Sequence, residues 1–264
     1  MTTNRQTWDP DRYSRNARFV SDLGAPVLEL LAPKPGEQIL DIGCGDGELT
    51  EKIAATGCRI VGIDSSPAQV EAARRRGLEV HVMDAEHLSF KEEFDAVFSN
   101  AALHWMKQPD DVIKGVWSAL KDQGRFVAEF GGHGCIATIA KALYAALQRR
   151  GIDGDRLNPW YFPTMEDYGR LLESQGFEIT WIALIPRPTP LPGDLLGWLE
   201  TFAESFTSAL PQQEQSEFLE EVQEELRPNL CDAEGKWSAD YVRLRFAAFK
   251  KTSPMPRPSV EELN

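Results

Sequence analysis

The 264-residue sequence predicts an α/β fold with a doubly wound, mostly parallel sheet. Short runs rich in Ile, Val, Leu and Phe alternate with amphipathic stretches from Gly36 to about Phe130. Near-continuous apolarity is typical of strands buried on both faces of a parallel sheet. Repeated strand–helix alternation implies right-handed crossovers with helices on both faces.

Seven strands are expected, and two kinds of signal set the helix ends. Pro67, after Ser66, is typical of a first helical turn, and Gly77 and Gly176 are typical of helix ends. The predicted strands are residues 38–42, 59–64, 79–83, 94–99, 124–130, 178–185 and 241–250. The predicted helices are residues 48–55, 66–76, 110–120, 136–149 and 166–175, with one or two more in 11–31.

Proline clusters delimit the domain organisation. Four prolines between 186 and 192 interrupt regular structure, and two helices are predicted across 195–226. We therefore expect one α/β core (1–190 and 231–252) with an N-terminal lid helix, and a helical insertion at 191–230 that forms a cap. Pro254, Pro256 and Pro258 predict a flexible tail over 253–264.

Composition and charge exclude several classes of partner. The chain has 28 Lys and Arg against 41 Asp and Glu, a net charge of −13, which argues against a nucleic-acid partner. The absence of an apolar run of about 18 residues argues against a membrane span. Neither the four cysteines nor the four histidines have metal-ligand spacing, so no metal is expected, and the cysteines are interpreted as free thiols of a cytoplasmic protein.

The stretch from Ile42 to Glu48 carries the functional signal. Glycines at alternate positions after a buried strand allow a sharp turn and a close approach to a ligand. A dinucleotide fingerprint requires a third glycine where Glu48 stands, and Asp46 adds a second carboxylate. The loop therefore favours a cationic, phosphate-free ligand over a pyrophosphate; the alternative is a structural turn.

Two further carboxylates stand at strand ends. Asp64 closes the second predicted strand, where a carboxylate can accept from both hydroxyls of a ribose. Asp84 closes the third, within reach of an adenine edge. Either one alone is commonly a turn or capping residue. Their register with the glycine loop, at the carboxyl ends of neighbouring strands, predicts a ligand site there.

These motifs carry a resemblance to a known family. D-I-G-C-G-D-G-E-L-T from Asp41, I-D-S-S-P from Ile63 and D-A-E from Asp84 resemble the class I S-adenosylmethionine-dependent methyltransferases. W-D-P-D-R-Y from Trp8 and F-S-N-A-A-L-H-W from Phe98 are similar to the trans-aconitate methyltransferase branch. The resemblance covers roughly residues 8–150. It implies a Rossmann-like methyltransferase fold, with S-adenosyl-L-methionine as cofactor and S-adenosyl-L-homocysteine as product.

The same resemblance implies roles for individual residues. The glycine loop covers the methionine part of the cofactor, Asp64 holds the ribose, and Asp84 flanks the adenine. Tyr13 lies in a helix that closes the pocket. The implied cofactor-binding set is Asp41, Gly43, Gly45, Gly47, Asp64, Ser65, Asp84, Ala85, Ser99 and Asn100. Lys121-Asp122-Gln123-Gly124 departs from the family's Lys-Pro-Gly-Gly, in a turn away from the cofactor.

The acceptor side is less determined. His104 is the only histidine in the expected acceptor region, and it is a candidate catalytic or substrate-orienting residue; packing against Trp105 is the alternative. The predicted substrate-binding residues are Tyr13, Trp105, Trp160 and Tyr161. An anionic substrate would need local cations, which Arg12, Arg15 and Arg18 could supply unless they form a solvated face.

The sequence therefore predicts an enzyme that methylates a small molecule, on a carboxylate or hydroxyl oxygen. A carboxylate is already ionised at pH 7, whereas a hydroxyl needs a general base. One alternative is a methyltransferase for protein or peptide carboxylates or for nucleic acid, although Asn100 lacks the N-P-P-aromatic sequence of many amino-group methylases. Another is a non-catalytic S-adenosylmethionine-binding sensor or assembly subunit. The acceptor and the oligomeric state stay open.

Overall fold

The computed structural model describes Trp8, Asn16 and residues 23–251. The strands in this part of the chain are β1 (Gln38–Ile42), β2 (Arg59–Asp64), β3 (Glu79–Val82), β4 (Phe94–Asn100), β5 (Leu120–Gly131), β6 (Phe177–Pro186), β7 (Thr189–Pro190), β8 (Ser238–Ala239) and β9 (Val242–Lys250).

The α-helices of the described residues alternate with the strands and then form a group between β7 and β8. They are α1 (Ala25–Leu31), α2 (Glu48–Ala54), α3 (Pro67–Arg75), α4 (Pro109–Ala119), α5 (Ala137–Arg149), α6 (Met165–Gln175), α7 (Leu195–Phe202), α8 (Glu204–Thr207) and α9 (Gln212–Leu230).

A seven-stranded sheet has the order β3-β2-β1-β4-β5-β9-β6. Strands β1 to β5 run parallel, whereas β9 is antiparallel to both β5 and β6. The predicted fold class is confirmed. The strand order reverses at β1, which lies between β2 and β4, and open α/β sheets bind ligands at the carboxyl ends of such strands.

Local sequence signals explain where several elements begin and end. Ser66 caps α3, its hydroxyl accepting from the Gln69 N–H, and Pro67 follows at the first helical position. Gly176 ends α6 at φ 110°, a left-handed conformation that favours glycine. Hydrophobic clusters fill both faces of the sheet, so the core lies in two layers.

Three local expectations were wrong. Region 195–226 contains three helices, because the helical conformation is interrupted at Ala203 and again before Gln212. The fifth strand begins at Leu120 instead of 124, since Leu120 already pairs with Phe94 before the register shifts. The proline-rich segment also contains β7, which pairs with β8 through Thr189 and Ala239.

The helices between β7 and β8 pack with α5 around a hydrophobic cluster of their own. Leu143, Phe206 and Phe218 are fully buried within it. At its edge Arg149 and Arg150 form ion pairs with Glu221, which links α5 to α9. This cluster stands beside the carboxyl ends of the strands, since Trp160 and Tyr241 belong to it and also line the cavity described below.

Some expectations concern residues outside the described part of the chain. Of the predicted 11–31 helical region, the described residues show α1 and helical backbone at Asn16. Tyr13, Arg12, Arg15, Arg18 and the 253–264 tail lie outside the described residues. Among the described helices, none has the length and apolarity to cross a membrane.

Candidate active site

A cavity of about 1270 Å³ opens at the carboxyl ends of β1, β2, β3 and β4. Ligand pockets commonly measure about 300–1,000 Å³, so this cavity exceeds the need of one drug-sized ligand. One half is lined by the glycine loop and by the residues that follow β2 and β3. The other half is lined by aromatic side chains from the turn after β4, from the segment between α5 and α6, and from α7.

Glycine is required in the loop after β1 for two different reasons. Gly43 has φ 71°, and a Cβ there would stand 2.2 Å from the Cβ of Ala102, so the loop after β4 can approach only a glycine. Gly45 has φ 56°, lines the cavity, and would direct a Cβ into open space. The bare backbone at Gly45 therefore leaves room for a ligand.

Gly47 has a structural role. It lies outside the cavity lining at φ 85°, and a Cβ there would meet Leu78 Cδ1 at 2.4 Å and Ala73 Cβ at 3.0 Å. The α2 N-terminus can pack against α3 only because this side chain is absent. Gly47 shapes the loop from behind.

The Asp64 carboxylate is braced by the backbone at the cavity wall. Oδ2 accepts from the Gly45 N–H at 3.0 Å, and Oδ1 accepts from the Ser66 N–H at 2.8 Å. Burial raises its pKa, and the two backbone hydrogen bonds oppose that rise. Asp64 and Ser65 both line the cavity. Since a carboxylate oxygen accepts more than one hydrogen bond, Asp64 retains capacity for ligand hydroxyls.

Asp84 and Ala85 form the adjoining wall. Asp84 caps a 3-10 turn, Ala85–His87, its Oδ1 accepting from the Glu86 N–H at 3.0 Å. Gln69, on α3, also lines the cavity; it is buried, and its Oε1 has no hydrogen-bond donor among the described residues. This half therefore presents polar acceptors beside the apolar Ala85.

Two predicted cofactor residues lie behind the loop, outside the lining. Asp41 is buried and accepts from the Thr50 hydroxyl at 2.6 Å, and burial raises its pKa to about 7. The Ser99 hydroxyl is fully buried and donates to the Ile42 carbonyl at 2.8 Å. Both connect β1 to its neighbours. Asn100, by contrast, lines the cavity.

His104 is held in a defined state in the other half. It lies in a 3-10 turn, Leu103–Trp105, and its buried ring accepts from the Gly131 N–H through Nδ1 at 3.3 Å. Burial and the positive charge of Arg243 hold its pKa well below the ordinary value of 6.5. A neutral ring that accepts at Nδ1 carries its proton at Nε2, so the other nitrogen is a hydrogen-bond donor.

Aromatic rings surround His104. Trp105 lies 4.9 Å from Trp8 and 6.0 Å from Trp160, measured between ring centroids. The Lys107 ammonium donates to the carbonyls of Asn158 and Trp160 at 3.2 and 2.9 Å, which fixes the segment that carries Trp160. Trp105 and Trp160 line the cavity.

The Tyr161 side chain does not line the cavity that the described residues form. Tyr161 packs against the sheet-side hydrophobic cluster, while its N–H donates to the His104 carbonyl at 2.8 Å. Tyr161 therefore connects the 158–163 segment to the turn that carries His104.

Sequence reasoning missed the contribution of β9. Because β9 is antiparallel to β5, its first residues reach the edge at which β5 ends, and Arg243 pairs in register with Gly131. Tyr241 and Arg243 line the cavity. The alternation of basic and apolar residues over Arg243–Phe246 was the available signal, since one set of a strand's side chains faces each side of the sheet.

No group of three or more metal-ligating side chains occurs among the described residues. The cavity thus combines a glycine loop, braced carboxylates and an aromatic half without a metal cluster in the part of the chain that the structure covers.

Comparisons with known proteins agree with this arrangement. A family model described as a methyltransferase domain matches residues 40–128. The uncharacterized methyltransferase C70.08c of Schizosaccharomyces pombe is 41% identical over 256 residues, covering 92% of this chain and 98% of that protein. A trans-aconitate 2-methyltransferase from Rhodococcus jostii is 36% identical over 134 residues, covering 46% of this chain and 52% of its own length.

Among solved structures, phosphoethanolamine N-methyltransferase 2 of Haemonchus contortus has a TM-score of 0.57 at 18% identity. The match covers 92% of this chain and 57% of that one, which was solved with phosphomonomethylethanolamine and S-adenosylhomocysteine. At this identity the likeness shows the fold alone.

The matches to the methyltransferase domain model and to the fission-yeast protein, together with the fold, define a class I S-adenosylmethionine-dependent methyltransferase. The extended match to the fission-yeast protein shows the family: the chain belongs to the methyltransferases. Its match to the trans-aconitate enzymes is partial, since this chain spans about half the length of the Rhodococcus relative.

Proposed function

We propose that this enzyme transfers a methyl group to a carboxylate oxygen of a small organic acceptor. The cofactor occupies the half of the cavity formed by the glycine loop and the ends of β2 and β3. The acceptor occupies the aromatic half. The volume of about 1270 Å³ supports the presence of both molecules in one cavity.

The residues of the cofactor half fit S-adenosylmethionine. The open space at Gly45 accommodates an amino-acid part beside bare backbone. Asp64 is positioned to accept from ribose hydroxyls, and Ala85 and Asp84 border the adenine. The cavity-lining residues proposed to hold the cofactor are Gly43, Gly45, Asp64, Ser65, Asp84, Ala85 and Asn100. Asp41, Gly47 and Ser99 support the loop from behind.

The cofactor supplies an activated methyl group: a carbon–oxygen bond forms as the methyl–sulfur bond breaks, and the sulfur keeps the electron pair. The protein aligns the acceptor oxygen and excludes water from the site. The packed rings of Trp105, Trp160 and Phe202 provide the apolar wall for both tasks.

One observation carries the choice of a carboxylate: His104, Tyr241 and Cys135, which line the acceptor half, are not set to remove a proton, and the Lys107 ammonium is held by two backbone carbonyls. His104 presents a donor at Nε2. Burial raises the pKa of Tyr241 to about 12 and raises the pKa of the Cys135 thiol. An acceptor that is already ionised needs no base, whereas a hydroxyl does. His104 is therefore proposed as a hydrogen-bond donor that orients the methyl acceptor.

The experiment is methyl transfer from labelled S-adenosylmethionine into a panel of carboxylic acids, phenols, amines and peptides. Mild alkali releases methanol from a methyl ester but not from a methyl ether or a methylamine. We expect label in an acid, released as methanol. Alkali-stable label in a phenol or an amine would contradict the proposal, and label in peptides alone would favour the protein-carboxyl alternative.

A further inference from the structure

We propose that Arg243 is the anion-binding residue of the acceptor site and determines specificity for acceptors that carry an oxyanion. This inference rests on the proposed function and deepens it. The arginine belongs to neither the glycine loop nor the strand-end carboxylates, and it lines the cavity from the second position of the antiparallel strand β9.

Arg243 is a buried charge without a countercharge in the described structure. It is 3% exposed, yet it lines the cavity. Its Nε has no hydrogen-bond partner, and no carboxylate lies within ion-pair distance, among Trp8, Asn16 and residues 23–251. Its guanidinium lies 4.2 Å from the ring centroid of Tyr241, which orients the planar group.

The neighbouring carboxylates do not pair with Arg243. Glu129, at the end of β5, forms ion pairs with both Arg187 and Arg245. Asp240 accepts from the Thr138 N–H at 2.8 Å through Oδ2, its Oδ1 is buried without a donor, and it forms no ion pair within the described residues. Of the three guanidinium groups, two share Glu129, and Arg243 has no carboxylate partner in this part of the chain.

A buried charge without a countercharge is costly, and a ligand that supplies the opposite charge offsets that cost. A guanidinium presents parallel N–H donors that match two oxygens of a carboxylate or a phosphate. His104 accepts from the N–H of Gly131, which is the cross-strand partner of Arg243, and both side chains line the cavity. The Nε2–H of His104 therefore adds a neutral donor on the same side of the cavity as the cation. The pair forms a recognition site for one oxyanion of the acceptor.

The test uses calorimetry on the full-length protein saturated with S-adenosylhomocysteine. The probes are trans-aconitate, its uncharged trimethyl ester, and inorganic phosphate. We expect wild type to bind trans-aconitate or phosphate and not the ester. Arg243→Met should lose at least tenfold in affinity for the bound anion, with S-adenosylhomocysteine affinity unchanged. Arg243→Lys keeps the charge but lacks the planar pair of N–H donors, so its anion affinity should lie between those of wild type and Arg243→Met.

Arg156→Met is the matched control, because Arg156 also lines the cavity but is 85% exposed and pairs with Asp153. It should change anion affinity less than twofold. Equal weakening by both substitutions, unchanged affinity in Arg243→Met, or no anion binding by wild type would each overturn the proposal.

Thermal unfolding separates recognition from a structural role. Without ligand, Arg243→Met should melt at or above the wild-type temperature, because it removes an uncompensated buried charge. A large drop in melting temperature would overturn the proposal. Arg243-dependent anion binding combined with methylation of nitrogen would leave this site standing while the proposed function fails. Methyl ester formation with an unchanged acceptor KM in Arg243→Met would leave the proposed function standing while this anion site fails.

Discussion

The Asp64 carboxylate accepts a hydrogen bond from the Gly45 N–H at 3.0 Å, tying the end of β2 to the loop that follows β1. A second bond, from the Ser66 N–H, fixes the other oxygen. The acidic residue therefore shapes the glycine loop, and in the proposed function its remaining lone pairs accept from ribose hydroxyls.

Asp64→Ala should weaken S-adenosylmethionine binding by about 3 kcal/mol, near 100-fold, because two charge-assisted hydrogen bonds are lost. Asp64→Asn, which keeps the shape of the side chain, should lose less. Calorimetry with S-adenosylmethionine measures both. Wild-type affinity in Asp64→Ala would remove this residue from the cofactor site.

Gly45→Ala should fold but bind S-adenosylmethionine at least tenfold more weakly, since the added methyl group projects into the open space beside the loop. Gly36→Ala is the matched control: it has φ 85°, nothing within 4 Å of a built Cβ, and a position outside the cavity. Both variants carry the strain of a non-glycine residue at positive φ. Equal cofactor affinity in the two would show that the loop does not contact the ligand.

His104→Gln should retain turnover within about tenfold of wild type while raising the acceptor KM, because an amide can replace the Nε2–H donor. A general base would instead be worth about 100-fold or more in turnover. Steady-state kinetics at saturating S-adenosylmethionine separates these cases. A loss of kcat beyond 100-fold with unchanged KM would assign His104 to proton transfer.

Asp41→Asn tests the buried carboxyl behind the loop. Its folded-state pKa is raised to about 7 from 3.8, so between these values the folded protein holds a proton that the unfolded chain has lost. Wild-type stability from this group is therefore complete below pH 3.8 and declines by about 1.4 kcal/mol per pH unit until pH passes about 7.

Urea unfolding at pH 5, 6 and 8 measures this contribution. The free energy of unfolding of Asp41→Asn minus that of wild type should be larger at pH 6 than at pH 5, and larger again at pH 8. A difference that is constant over all three pH values would mean that Asp41 titrates alike in the folded and unfolded chain.

Lys107→Met should raise the acceptor KM several-fold with little effect on S-adenosylhomocysteine affinity. Lys107 holds the segment that carries Trp160 through two carbonyls, and it is not a ligand of the proposed cofactor site. Lys114→Met, on the exposed face of α4, is the control. Unchanged acceptor KM in Lys107→Met would show that the segment keeps its position without these bonds.

Local patterns predicted much of the fold and the cofactor half. Apolar runs predict the buried strands of a parallel sheet. Because the carboxyl ends of these strands meet at one edge, the sequence alone predicted that Gly45, Asp64 and Asp84 lie together. The distinction between Gly45, which lines the cavity, and Gly47, which packs against Ala73, could not be predicted. It depends on which neighbour each missing Cβ would meet.

The acceptor half was harder for the same reason. Arg243 reaches the cavity because β9 inserts antiparallel between β5 and β6, a long-range pairing that no local pattern specifies. The tautomer of His104 depends on the N–H of Gly131, which lies 27 residues away in sequence. Non-local contacts of this kind decide which side chains face an acceptor.

The pH dependence of kcat, measured at saturating S-adenosylmethionine and saturating acid acceptor from pH 6 to pH 9, tests the central claim most directly. If the protein aligns an already ionised carboxylate and removes no proton, kcat should stay constant within about twofold across this range. A tenfold rise with pH that follows a single ionisation in wild type would contradict the account and require a general base.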